Sequence, residues 1–274
     1  MSRTTPRALA GLGVAAALAT ITTSAAADEP CPVNALDCAA VRQFSATADA
    51  TSDALFLTSL LLPVGLELGR DVDDDSLRRG LAYGGALGAT AVTALLVKVT
   101  VKRDRPYTHN RDPRVAAFAR TARGNDHSFF SGHTAMAFAA ATSGGLLQSV
   151  GRDGGGRYAG WALGGALAGA TGVFRVRAGK HFPTDVLVGA AVGTAAGVGI
   201  TLAVAPGTDL RWQDAAGLGG GAAVGAAFAA LVPMPRDVIL PLGGSGVVVD
   251  GPVGLTPMAV PGGGVGLSLS GQLR

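Results

Sequence analysis

The chain has 274 residues, of which 48% are hydrophobic and 15% charged, and its mean hydropathy is +0.38. That is long enough for one sizeable core and too apolar for an ordinary soluble domain, so a membrane class leads. The net charge of +3, with no basic patch interleaved with aromatics, gives no basis for a nucleic-acid partner.

The apolar residues are mostly Ala, Gly, Val and Leu, a composition that predicts helices approaching one another closely through small side chains. In residues 1–27, Arg3 and Arg7 precede an apolar run from Ala8 to Ile21 and then Ser24-Ala25-Ala26-Ala27. This is the pattern of a secretory signal peptide cleaved after Ala27, with an uncleaved anchor helix as the alternative. Either reading places residues 28–51 outside the cytoplasm. Cys31 and Cys38, the only two cysteines, can close a small disulfide loop there.

Residues 52–232 read as an all-α, membrane-embedded bundle of about six helices. Ser52 suits an N-cap for the apolar stretch 54–68, which Pro63 interrupts. The charged run 70–79 reads as a solvated turn. Apolar segments then follow at 80–97, 134–150, 158–174, 186–205 and 215–232, each close to the roughly 20 residues that span a bilayer. The tail, 233–274, differs in kind. Gly/Pro turns separate 247–249, 254–260 and 265–270, which reads as a short β-hairpin or meander without candidate chemistry.

Three stretches carry chemistry. Lys98 closes the 80–97 helix and is followed by Arg105-Pro106. Two cations so spaced can close on one anion, although a lone lysine also suits a helix C-terminus. Ser131 then reads as an N-cap, Gly132 lets backbone approach a ligand, and the free N–H groups of that helix start would cradle phosphate oxygens. His133 lies on the same first turn. In the third stretch, Phe174 to Asp185, Pro183 suits the first turn of a helix and His181 sits just ahead of it. An Asp185 carboxylate accepting the His181 Nδ1 proton would leave Nε2 bare as nucleophile or base. His109 and His127 fit no such pattern and read as loop residues. Lys102, Arg103, Arg177 and Lys180 either attract anionic head groups or are solvated.

Together the three stretches resemble the type 2 phosphatidic acid phosphatase superfamily, which includes bacterial acid phosphatases and vanadium haloperoxidases. Its pattern is Lys, six residues, Arg-Pro; then Pro-Ser-Gly-His; then Ser-Arg, five residues, His, three residues, Asp. Lys98 with Arg105-Pro106, Ser131-Gly132-His133, and Arg175 with His181 and Asp185 keep every internal spacing. Phe130 stands where the family has proline and Phe174 where it has serine. The first change touches the start of a helix. The second removes a hydroxyl that could bond phosphate, lowering activity or shifting the substrate.

The resemblance implies a phosphatase without a cofactor or metal. His181 would attack phosphorus to form a phosphohistidine, and Asp185 would fix its tautomer. His133 would protonate the leaving oxygen and then activate water. Lys98, Arg105 and Arg175, with the Ser131 and Gly132 amides, would hold the phosphate oxygens. Three convergent cations would repel a divalent ion. The expected partners are a membrane and a phosphorylated lipid or isoprenoid.

Counting spans from an external start places all three stretches on the outer face, which for a bacterial envelope means the periplasmic side of the inner membrane. The positive-inside rule points the other way, but the outer cations are largely those the phosphate site would use. The competing readings are a soluble or peripheral periplasmic acid phosphatase, a vanadate-holding haloperoxidase and a catalytically inactive scaffold.

Overall fold

The computed structural model describes residues 33–70, 72–205 and 207–234, together with the backbone of 237–238, 248–249, 254–260 and 264–270. The expected signal peptide, Cys31 and most of the expected β tail lie outside the described residues. In the tail, Gly254–Val260 and Gly264–Ser270 are assigned as antiparallel backbone partners; nothing in the bundle rests on them.

The described chain is built on seven α-helices: α1 (Ala46–Leu68), α2 (Ser76–Val101), α3 (Pro113–Thr121), α4 (Gly132–Ser149), α5 (Gly155–Arg177), α6 (Pro183–Val204) and α7 (Trp212–Leu231). Short 3₁₀ turns occupy Cys38–Arg42 and Pro106–His109. Helix α1 begins earlier than expected because Ser45 caps it, accepting from the Ala48 amide at 3.1 Å. Ser52, expected as the cap, lies inside the helix and turns its hydroxyl onto the Asp49 carbonyl.

The run 70–79 is not simply a solvated turn. Its last residues open α2, and Arg79 is buried there, paired with Glu67 of α1 and with Asp73. One guanidinium neutralises two carboxylates that the α1–α2 turn brings together, which makes burying it affordable. The seventh helix, α3, lies in what reads as a long polar loop. Asp112 caps it and Pro113 takes its first position. Its Phe118 ring packs against Phe44 and Tyr107, with centroids 5.2 and 5.4 Å away.

The long helices alternate in direction, and small residues set how closely they pack. Helix α4 runs through the interior and is buried over most of its length. A side chain placed at Gly193 of α6 would fall on the Ala135 carbonyl of α4, and one at Gly197 on Thr142. Helices α5 and α7 share a similar seam. Gly165 and Gly169 face the α7 backbone at Leu218 and Ala222, while Gly221 and Gly225 face the α5 carbonyls of Ala162 and Ala166. Such close approach is how helices associate where no water-driven force operates between them.

Among the described residues, four helical segments are long and apolar enough to cross a membrane: Ala46–Leu68, Ser76–His109, Pro183–Val204 and Trp212–Leu231. Leu57, Leu61, Leu95, Leu96, Val224 and Phe228 face outward on them, the surface of a membrane protein. The expected spans at 134–150 and 158–174 are not among the four. Helix α4 and the second half of α5 face other helices rather than the surroundings, so their sequences favour Ala, Gly, Ser and Thr over Leu.

Candidate active site

One end of the bundle gathers the start of α1, the end of α2, the starts of α4 and α6, and the end of α5. His181 lies in the short connection between α5 and α6. Gly179 makes that connection possible, since its φ is +69° and a Cβ there would fall on the Gln43 carbonyl. The chain then turns so that Pro183 opens α6 as expected.

The His181 ring is 2% exposed. Its Nδ1 lies 2.7 Å from the Ser128 carbonyl oxygen, and a carbonyl only accepts, so in the neutral ring Nδ1 carries the proton and Nε2 is bare. Asp185 does not take that proton; its Oδ2 is 3.8 Å from Nδ1. This corrects the expected contact. Ser128 stands between the two, its carbonyl accepting from His181 while its hydroxyl donates to Asp185 Oδ2 at 2.5 Å. The same Oδ2 accepts from the Phe182 amide at 2.9 Å, and Oδ1 from Arg103 Nη1 at 2.6 Å. Asp185 therefore fixes the loop that orients the histidine.

Arg103, left undecided in the sequence, belongs to this network. Lys102 adopts a left-handed conformation at the end of α2 and swings the next residue inward. Arg103 then donates to Asp185, to Thr184 and, through Nη2 at 2.7 Å, to Asp37. Asp37 is fully buried and also accepts from the Thr184 amide and hydroxyl. The adjoining Cys38 is disulfide-bonded. Nothing in the spacing of Ser128 or Asp37 signals these roles, because both act through fold-level proximity.

Lys98, Arg105 and Arg175 all lie within electrostatic reach of both His181 and His133. Burial, reinforced by these cations, holds the His181 pKa well below the ordinary imidazole range. Lys98 Nζ donates to the His127 carbonyl at 2.8 Å, and Arg105 Nε to the Gly124 carbonyl at 2.9 Å. Arg175, 5% exposed, donates through Nη1 to Asp49 at 2.6 Å, while its Nε is buried without a partner. His133 Nε2 lies 3.1 Å from Asp53 Oδ1, with the Phe56 ring 4.5 Å from its own. Asp49, Asp53 and Phe56 come from α1, which the sequence motifs do not include.

Ser131 caps α4 as expected, accepting from the Thr134 amide at 3.4 Å, and its own amide donates to the Asp185 carbonyl at 3.0 Å. This last bond fixes the start of α4 to the first turn of α6. A Cβ at Gly132 would sit 3.7 Å from Lys98 Cε, so the packing around it does not itself demand glycine there.

Of the other cations, one is bound away from the site and one at its edge. Arg177 donates to the Ala229 and Val232 carbonyls at the end of α7, and Lys180 pairs with Asp49 at 3.0 Å. Phe174 packs in the apolar core with Val173, Phe182 and Val186, and Phe130 packs with Ala94 and Ala135. A cavity of about 310 Å³ lies at the other end of the bundle among Pro63, Glu67, Arg79, Tyr83 and Gln148.

An apolar helical bundle with a bare imidazole nitrogen within electrostatic reach of three cations is suited to holding an anion. A family model described as PAP2 superfamily matches residues 79–208, and that part of the chain is similar to this superfamily. That similarity points to phosphatase chemistry. No curated protein and no solved structure matches the chain significantly.

Proposed function

We propose that the protein is a metal-independent phosphatase that hydrolyses a lipid phosphate or isoprenyl (di)phosphate through a phosphohistidine at His181. The observation that carries this reading is the His181 tautomer: with Nδ1 bonded to the Ser128 carbonyl, Nε2 keeps its lone pair free on a ring within electrostatic reach of Lys98, Arg105 and Arg175. Nε2 forms a bond to phosphorus as the bond to the leaving oxygen breaks, and His133 supplies the proton that oxygen needs. Water activated by His133 then cleaves the P–N bond and releases phosphate. The three cations hold the phosphoryl oxygens as charge redistributes. Ser128, Asp185, Arg103 and Asp37 keep the His181 loop in position.

The apolar helices support a lipid-borne substrate and a place in a bacterial inner membrane. Because α1, α2 and the α4–α5 hairpin alternate in direction, the three motif stretches share one face, which the proposed orientation puts on the periplasmic side. His181→Ala is expected to abolish phosphate release from phosphatidic acid, phosphatidylglycerol phosphate and undecaprenyl diphosphate while the purified variant stays folded. Wild-type turnover in that variant would refute the nucleophile.

A further inference from the structure

Arg175 carries more acceptors than one of its nitrogens can serve. Nη1 has two N–H bonds, and three oxygens lie within reach of it: Asp49 Oδ1 at 2.6 Å, Ser52 Oγ at 3.1 Å and Asp53 Oδ1 at 3.2 Å. The three are not held alike. Asp49 is also tied to Lys180, and Ser52 is buried with its proton on the Asp49 carbonyl. Asp53 makes the longest of the three bonds and its side chain is 52% exposed. The His133 Nε2 also lies 3.1 Å from the same oxygen. One loosely held carboxylate thus sits between a guanidinium and an imidazole, where a phosphate ester would have to place its own oxygens.

We propose that Asp53 is a built-in competitor for the phosphate site and sets its affinity. In the empty enzyme it fills the place between Arg175 and His133, and the phosphoryl group of the substrate takes that place by turning the Asp53 side chain outward. This rests on reading the site as phosphate-binding. The exchange gives Arg175 a more highly charged anion in place of a monoanion. It also moves the His133 Nε2 proton from a carboxylate oxygen to the ester oxygen, the position from which it can protonate the leaving group. Asp53 lies outside the matched segment 79–208 and reaches the site because it shares a helix face with Asp49, one turn away.

If the carboxylate occupies the site nine parts in ten, apparent anion affinity falls about tenfold. Titration calorimetry of the full chain in detergent with inorganic phosphate and orthovanadate tests this, comparing wild type with Asp53→Asn, Asp53→Ala and Arg175→Ala. The expected result is about tenfold tighter binding in both Asp53 variants and loss of binding in Arg175→Ala. Binding to wild type that is unchanged or weaker in both Asp53 variants would overturn the role of Asp53 and leave the phosphate site standing. Absence of binding in every form, wild type included, would reject the phosphate site itself and the competitor with it.

Discussion

At the scale of single residues, burial decides the protonation of His181. Its pKa is held well below the ordinary range by desolvation and by Arg175, Arg105 and Lys98. The unfolded chain takes up this proton near pH 6.5, as a free imidazole does. Below that pH the unfolded state therefore binds more protons than the folded one, and stability declines as the pH falls. The His181 contribution should be constant above about pH 7, and thermal melts should fall on acidification below it, with a shallower fall in His181→Gln. An equal acid slope in that variant would show that His181 is not the group responsible.

The motif residues were legible in the sequence because chemistry fixes their spacing: Lys98 with Arg105, Ser131 to His133, and Arg175 with His181 and Asp185. Their partners were not. Ser128 meets His181 across 53 residues and Asp37 meets Thr184 across 147, separations that no local pattern encodes. Phe174 reads as a departure at the site, whereas its ring belongs to the core.

At the scale of elements, the bundle is held by small-residue seams and by ion pairs at its ends. Arg157 at the start of α5 donates to Asp214 of α7 through Nε at 2.8 Å and Nη2 at 2.5 Å, and both residues are buried. Asp214 also accepts from the Arg211 amide at 2.8 Å, capping α7. Removing Asp214 would leave the buried guanidinium with the half-exposed Asp209 carboxylate and two backbone carbonyls as its partners, a loss of about 3 kcal/mol, the low end for breaking a buried pair. Asp214→Ala should lower the unfolding free energy in detergent by that amount; a loss below about 1 kcal/mol would contradict it.

Helix existence followed from apolar run length, while helix starts depended on caps. Ser45 and Asp112 with Pro113 are ordinary start signals, and each opens a helix at a place read differently from hydropathy alone. The α4 and α5 interior was harder to read, since an apolar run rich in Gly and Ala fits both a membrane span and a helix buried among others.

For the whole molecule, two features coincide: four of the described helices have the length and composition to cross a membrane, and one end of the bundle collects the cations and both motif histidines. The proposed membrane enzyme should stay with the membrane fraction through high-salt and alkaline washes and require detergent for release. Recovery in the detergent-free soluble fraction would favour the acid-phosphatase alternative.

The most direct test of the central claim is to trap the covalent intermediate. The enzyme is quenched under alkaline conditions during turnover of ³²P-labelled phosphatidic acid, and the labelled peptide is mapped by mass spectrometry. The account predicts an acid-labile, alkali-stable phosphoryl group on His181, absent from His181→Ala and accumulating in a His133 variant slow to hydrolyse it. Phosphate release by a fully active wild-type enzyme with label on another residue would contradict the account.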